Sequence, residues 1–276
     1  MQALVYTDIQ KLIYREEKNP KLLNGESIIK VSASGICGSD MHAYHGNDNR
    51  RIPPLILGHE VSGVINKGKD IGKKVVLNPL ITCGTCNYCT NKREHLCPKR
   101  IILGMNRPIE RQGGFAEFVS IPDKNIYELP KKLDMKEAPI AEPCAVALHA
   151  VELGEKELSG ELNDSSALVI GAGAIGLLCG LILSKVKKCK KITIIEPNDN
   201  RLKESLKYLD ADGLKPSSKS IFLDHFDIVF DTVGLEATRK QAIKSIKPGG
   251  IIIHIGLTQP SGNFDFRKTT LQEITF

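Results

Sequence analysis

The chain has 276 residues, too many for a comfortable single core and suited to two domains. Its 41% hydrophobic and 25% charged residues are ordinary for a globular protein. The net charge of +6 comes from scattered Lys and Arg, with no basic run interleaved with aromatics. That pattern argues against nucleic-acid binding and suits an anionic cofactor.

Residues 1–11 alternate apolar and polar side chains and lack the apolar core of an export signal. Without export, the eight cysteines belong in a reducing compartment, the cytoplasm, and favour thiolate ligation over disulfides. As far as about residue 127 the periodicity is mostly two. Short apolar runs at 27–31, 75–77 and 115–121 are separated by Gly, Pro and Asn, so this half reads as irregular β-structure.

Within that half sits Gly35-Ile36-Cys37-Gly38-Ser39-Asp40-Met41-His42, and further on Gly58-His59-Glu60. A lone Cys is more often a small buried hydrophobe, and a lone His a hydrogen-bonded core residue. Glu142, in Glu142-Pro143, would by itself be a helix-start carboxylate. Together, Cys37, His59 and Glu142 form a mixed donor set suited to zinc, and three protein ligands with an open fourth position is the catalytic arrangement.

Cys83, Cys86, Cys89 and Cys97 read C-x2-C-x2-C-x7-C in a Gly-, Thr- and Asn-rich loop. Four thiolates this close predict a structural zinc site. An iron–sulfur run would place its fourth cysteine after three residues, not seven.

Residues 135–153 read as helix, broken near Pro139 and Pro143, and the domain boundary is expected between 153 and 164. From there strands and helices alternate: strand 167–170, helix 174–185, strand 192–195, helix 200–209, strand 228–230, helix 236–246, strand 251–255. Their uninterrupted apolar runs predict a parallel sheet covered on both faces. The uncharged stretch 167–184 is nearly long enough to span a bilayer, but its glycines make it a strand, a turn and a helix instead.

That turn is Gly171-Ala172-Gly173-Ala174-Ile175-Gly176, placed between a strand and a helix as in a dinucleotide site. Glu196 ends the next strand, where a carboxylate accepts from ribose hydroxyls and repels a 2′-phosphate. That selects NAD over NADP, and Arg201 is the counter-argument.

These motifs, with Leu57-Gly58-His59-Glu60 and Gly113-Gly114-Phe115-Ala116-Glu117, resemble the zinc-dependent medium-chain dehydrogenase/reductase superfamily. The resemblance covers almost the whole chain and lies nearest the polyol (sorbitol and idonate type) and threonine dehydrogenase branches. It implies an α/β protein: a GroES-like irregular β-barrel catalytic domain over 1–153, with a structural zinc lobe at 83–97, and a Rossmann doubly wound parallel sheet over 154–276. It also implies two zinc ions per subunit, NAD, a small alcohol or polyol substrate, no nucleic-acid or membrane partner, and a homodimer or homotetramer. Cys37 and His59 would hold the catalytic zinc. Glu142 occupies the third-ligand position, and Glu60 is a neighbouring carboxylate that can bind directly or alternate with water. Ser39 would bind the substrate oxygen, His42 would continue the proton relay, and Asp40 would orient His59. Val233-Gly234 and Ile255-Gly256-Leu257 would run beside the nicotinamide.

The chain departs from the family pattern by stopping inside an expected last strand at 271–276, and by short segments at 64–73 and 209–226. Two other readings stand beside the dehydrogenase. One is a truncated, inactive dinucleotide-binding member. The other is a zinc-free quinone or enone reductase, which Cys37, His59 and Glu142 oppose.

Overall fold

The structure is a computed structural model describing residues 1–216 and 223–276. Two compact units divide between Glu142 and Pro143.

In the first unit the period-two runs become short strands. β1 (Gln2–Asp8) lies between β2 (Lys11–Glu16) and β4 (Leu55–Ile56) in a three-stranded sheet. β3 (Glu26–Gly35) runs into the short helix α1 (Gly38–Tyr44). β5 (Glu60–Lys67), β6 (Lys74–Leu77), β9 (Phe118–Pro122) and β10 (Ile126–Glu128) join β3 in an antiparallel sheet of order β10-β6-β5-β3-β9. One face of it buries Ile29, Val61, Val75, Leu103, Val119 and Ile121. The β3–β5 register ends on the pair Gly35↔Glu60. That pairing brings the exit of one strand, two residues before Cys37, against the entry of the other, which follows His59. Between β7 (Leu80–Ile81) and β8 (Ile101–Ile102), which pair as Ile81↔Ile101, the chain bulges out as the cysteine loop, with α2 (Asn87–Thr90) inside it.

The second unit opens with α3 (Ala141–Glu157), whose first turn accommodates Pro143 without a break, after a 3-10 turn at Ala138–Ile140. The expected boundary after residue 153 moves forward to Glu142/Pro143. The reason is packing: α3 contributes Ala147 and Val151 to the second unit's core. Then follow β11 (Ser166–Ile170), α4 (Ala174–Leu181), β12 (Lys191–Ile195), α5 (Asp199–Leu206), β13 (Asp212–Leu214), β14 (Phe226–Asp231), α6 (Glu236–Ser245), β15 (Ile246–His254) and α7 (Phe266–Leu271). The strands are parallel in the order β13-β12-β11-β14-β15. This is doubly wound topology, and its order reverses beside β11, where such sheets bind ligands.

Alternate residues feed opposite cores: Val169, Ile194 and Phe230 on one face, Leu168, Ile195 and Val229 on the other. The strand and helix expected to be missing around 209–226 are in part present as β13; residues 217–222 lie outside those described. No helix among the described residues is long and apolar enough to cross a membrane.

Phe230, on β14, is fully buried in the core of this sheet. Phe230→Ala is expected to cost about 3–5 kcal/mol, read as a lower urea midpoint against the wild-type chain.

Candidate active site and metal centres

Cys37 caps α1, and its backbone N–H donates to Asp40 Oδ2 at 3.1 Å. The other oxygen of that buried carboxylate accepts from Gly58 N–H at 3.3 Å and faces His59 Nδ1 at 3.5 Å. That last contact is at the long limit of a hydrogen bond, and Nδ1 has no other partner. Asp40 therefore ties the Cys37 turn to the His59 strand entry and leaves Nε2 as the ring nitrogen for a ligand. The ligand atoms of Cys37, His59 and Glu60 lie within 4.8 Å of one another. Glu60 lies against the backbone of Gly35, where any added Cβ would overlap its carboxylate.

The electrostatics fit a cation site. Burial opposes charge on His59, yet Asp40 and Cys37 raise its pKa to about 10. Burial likewise opposes the Cys37 thiolate, but hydrogen bonds from His59 and Ser39 bring the thiol down. The Glu60 carboxyl is pushed up by burial and by repulsion from Glu142 and Asp40. The Glu142 carboxyl is pushed up by burial and by Asp40. Glu142 lies outside the close trio, so the carboxylate brought to Cys37 and His59 here is Glu60. His42 sits half-buried in the last turn of α1.

One element of this corner carries no sequence signal. Arg51 is only 2% exposed. Its Nη1 pairs with Asp48 Oδ2 at 2.5 Å, its Nε donates to the Gly104 carbonyl at 3.1 Å, and its Nη2 donates to Ser39 Oγ at 3.2 Å. The adjacent Arg50 is exposed and also pairs with Asp48. Burial opposes charge on Asp48, but the two arginines hold its carboxyl at about 2.

The four cysteines of the loop also converge, with all their sulfurs within 4.8 Å. Cys86 and Cys89 sulfurs are 3.5 Å apart, and Cys83 and Cys97 sulfurs 3.6 Å. Backbone N–H groups of Thr85 and Cys86 pull the Cys83 thiol down to about 5, while burial and the neighbouring cysteines push the Cys89 thiol up to about 11. None of the eight cysteines is in a disulfide.

In the second unit, Gly171 takes φ +98°, and a Cβ at Gly176 would overlap the Gly171 carbonyl, so helix and turn touch through backbone alone. Gly173 caps α4 without a side-chain bond, and a Cβ there would meet nothing within 4 Å. Ala174 is exposed and Ile175 half-buried beside it. Open space before an uncapped helix start fits a pyrophosphate.

Glu196 is not a solvated strand-end charge. It is 4% exposed, and its two oxygens accept from Ala172 N–H at 2.8 Å and Asn198 N–H at 2.9 Å. It braces the glycine turn. Arg201 is exposed on α5.

Asp231, fully buried, was not singled out by sequence. It ends an apolar strand, a weak signal for such a role. Its Oδ1 accepts from Val233 N–H at 3.1 Å and Gly234 N–H at 3.0 Å, and its carbonyl accepts from Ile255 and Gly256. Gly234 and Gly256 cross so closely that a Cβ on either would strike the other strand's loop, and Leu257 beyond them is 76% exposed.

Residues 23–131 match the alcohol dehydrogenase GroES-like domain, and 174–276 match zinc-binding dehydrogenase. The chain is similar to L-threonine 3-dehydrogenase of Pyrococcus horikoshii, 31% identical over 267 residues covering 90% of this chain and 73% of that one. It superposes on alcohol dehydrogenase TADH from Thermus sp. ATN1 with a TM-score of 0.88, at 27% identity, covering 100% of this chain and 83% of that one. It also superposes on galactitol-1-phosphate dehydrogenase from Escherichia coli, with a TM-score of 0.87, at 27% identity, covering 100% and 82%.

A raised pKa stabilises the folded state below the unfolded value and loses that contribution as pH climbs through the folded one. The metal-stripped protein is therefore expected to lose thermal stability between pH 6.5 and about 10 through His59. His59→Asn should be flatter across that window in the same melting series.

Proposed function

Because the chain belongs to the zinc-dependent medium-chain dehydrogenase/reductase superfamily, its relatives being oxidoreductases, we propose that it is an NAD-linked dehydrogenase of secondary alcohols or polyols. The observation that carries this reading is the convergence of Cys37, His59 and Glu60 from two paired strand ends. Those three would hold a catalytic zinc, with Glu142 a nearby carboxylate able to exchange with Glu60. When bound, zinc acts as a Lewis acid that lowers the pKa of a substrate hydroxyl.

The chain's own residues supply the rest. Asp40 fixes the His59 ring so that Nε2 faces the ligand set. Ser39 hydrogen-bonds the substrate oxygen, and His42, half-buried at the end of α1, passes the released proton toward solvent. The open start of α4 receives the cofactor pyrophosphate, with Gly171, Gly173, Ala174, Ile175 and Gly176 forming the cradle. Glu196 accepts from the adenosine ribose with the lone pairs its backbone bonds leave free, and its charge repels a 2′-phosphate. Arg201 flanks it. Val233, Gly234, Ile255, Gly256 and Leu257 line the nicotinamide. The cysteine lobe holds a second, structural zinc. The protein acts in the cytoplasm, where free thiols persist, as a homodimer or homotetramer.

The test is a panel of L-threonine, galactitol 1-phosphate, sorbitol, xylitol and 2,3-butanediol with NAD or NADP, followed by NADH absorbance and zinc analysis. NAD-dependent turnover of at least one alcohol is expected. Cys37→Ser should cut turnover about a hundredfold or more and lower zinc from two ions per chain to one. Tight NAD binding with no turnover of any alcohol would instead identify a dinucleotide-binding member without dehydrogenase activity.

A further inference from the structure

A guanidinium is rarely taken out of water unless it is paired. Arg51 is paired by Asp48, and the two side chains are 1% and 6% exposed. Asp48 is shared with Arg50, and a guanidinium has five N–H donors, so burying Arg51 calls for acceptors beyond the carboxylate; it directs its remaining donors to two specific ones. Nε takes the Gly104 carbonyl at 3.1 Å, which fixes the plane of the guanidinium. Nη2 then reaches Ser39 Oγ at 3.2 Å.

The consequence lies in hydroxyl geometry. A serine hydroxyl has one hydrogen and two lone pairs. With Arg51 occupying a lone pair, the hydrogen must point away from the guanidinium. Ser39 lies two residues after Cys37 in the first turn of α1, and its hydroxyl hydrogen-bonds the Cys37 thiol, so that direction is the metal corner.

We propose that Arg51, clamped by Asp48 and the Gly104 carbonyl, is a positioning residue that orients the Ser39 hydroxyl toward the Cys37–His59–Glu60 corner. This rests on reading that corner as a metal centre. The Arg51 side chain bonds to Asp48, the Gly104 carbonyl and Ser39 and to none of Cys37, His59 and Glu60, so it acts through Ser39. Arg50, next in sequence and paired to the same aspartate, points to solvent and has no such contact.

The test is cadmium-113 NMR of the protein with both sites loaded by cadmium. The four-sulfur lobe and the mixed-ligand corner give separate resonances, and the first reports that the fold is intact. Arg51→Met is expected to move the mixed-ligand resonance in the same direction as Ser39→Ala, while the four-sulfur resonance stays in place. The combined variant should move no further than Ser39→Ala alone, since Arg51 acts through that hydroxyl. Arg51→Lys, which keeps a donor, should return the resonance at least halfway; it is the deciding variant if Arg51→Met loses the four-sulfur signal. With an alcohol that turns over, Arg51→Met should lose about tenfold in kcat/KM, and nothing further in the Ser39→Ala background. A mixed-ligand resonance that Arg51 variants leave unmoved, or a combined variant whose shifts simply add, overturns the proposal. A wild-type protein without that resonance overturns the metal reading itself, and the orientation with it.

Discussion

The first unit is organised around a charge imbalance. Asp40, Glu60 and Glu142 converge with the Cys37 thiol around His59, the one cationic group among them, and all are partly or wholly withdrawn from water. Like charges at low dielectric repel strongly, and the molecule shows the strain in two ways. The two glutamates hold their protons more tightly than usual, and His59 holds its proton far more tightly. Both are makeshift neutralisations. A divalent cation bound there would replace both, because the carboxylates could ionise and the imidazole could give up its proton. Arg51 beside this corner is held by Asp48, which Arg50 also pairs, and its charge helps keep the Asp40 carboxyl ionised.

The imbalance arises from register. Cys37 and His59 are distant in sequence, and only the pairing that ends on Gly35↔Glu60 brings them together. A slip of one residue would turn Glu60 to the other face of the sheet. Gly35 makes the juxtaposition possible, since any side chain there would occupy the space of the Glu60 carboxylate.

Much of this was legible in the chain. The cysteine spacing specified a four-sulfur lobe, and the glycine run between strand and helix specified a bare-backbone turn before an uncapped helix start, because in both the geometry is local and written in consecutive residues. The alternating second half was legible because strands buried on both faces read as unbroken apolar runs such as Ala167–Ile170. The competition between Glu60 and Glu142 was not legible: which carboxylate reaches Cys37 depends on the β3–β5 pairing and on where α3 begins. Arg51 was not legible either. Nothing in Arg50-Arg51 tells which of two adjacent arginines turns inward; the Gly104 carbonyl, far along the chain, decides it. The boundary after residue 153 erred for a related reason, since α3 is continuous in sequence while its apolar face belongs to the second core.

The same device recurs at three of the candidate-site loops. Loops that approach a ligand closely are built from glycines and bare backbone, so they have few side chains with which to anchor themselves. Each is instead pinned by a buried carboxylate that accepts backbone N–H groups. Asp40 takes those of Cys37 and Gly58, Glu196 those of Ala172 and Asn198, and Asp231 those of Val233 and Gly234. A hydrogen bond to a charged acceptor is worth about 1.5–3 kcal/mol, roughly twice a neutral one. Two such bonds from one rigid side chain can hold a turn that propensity alone would leave mobile. An amide in place of the carboxylate would offer one acceptor oxygen instead of two, and Asp40 and Glu196 use both of theirs. These buried carboxylates are thus part of the scaffold that gives the glycine turns a fixed shape, and any contact they make with a ligand is added to that role.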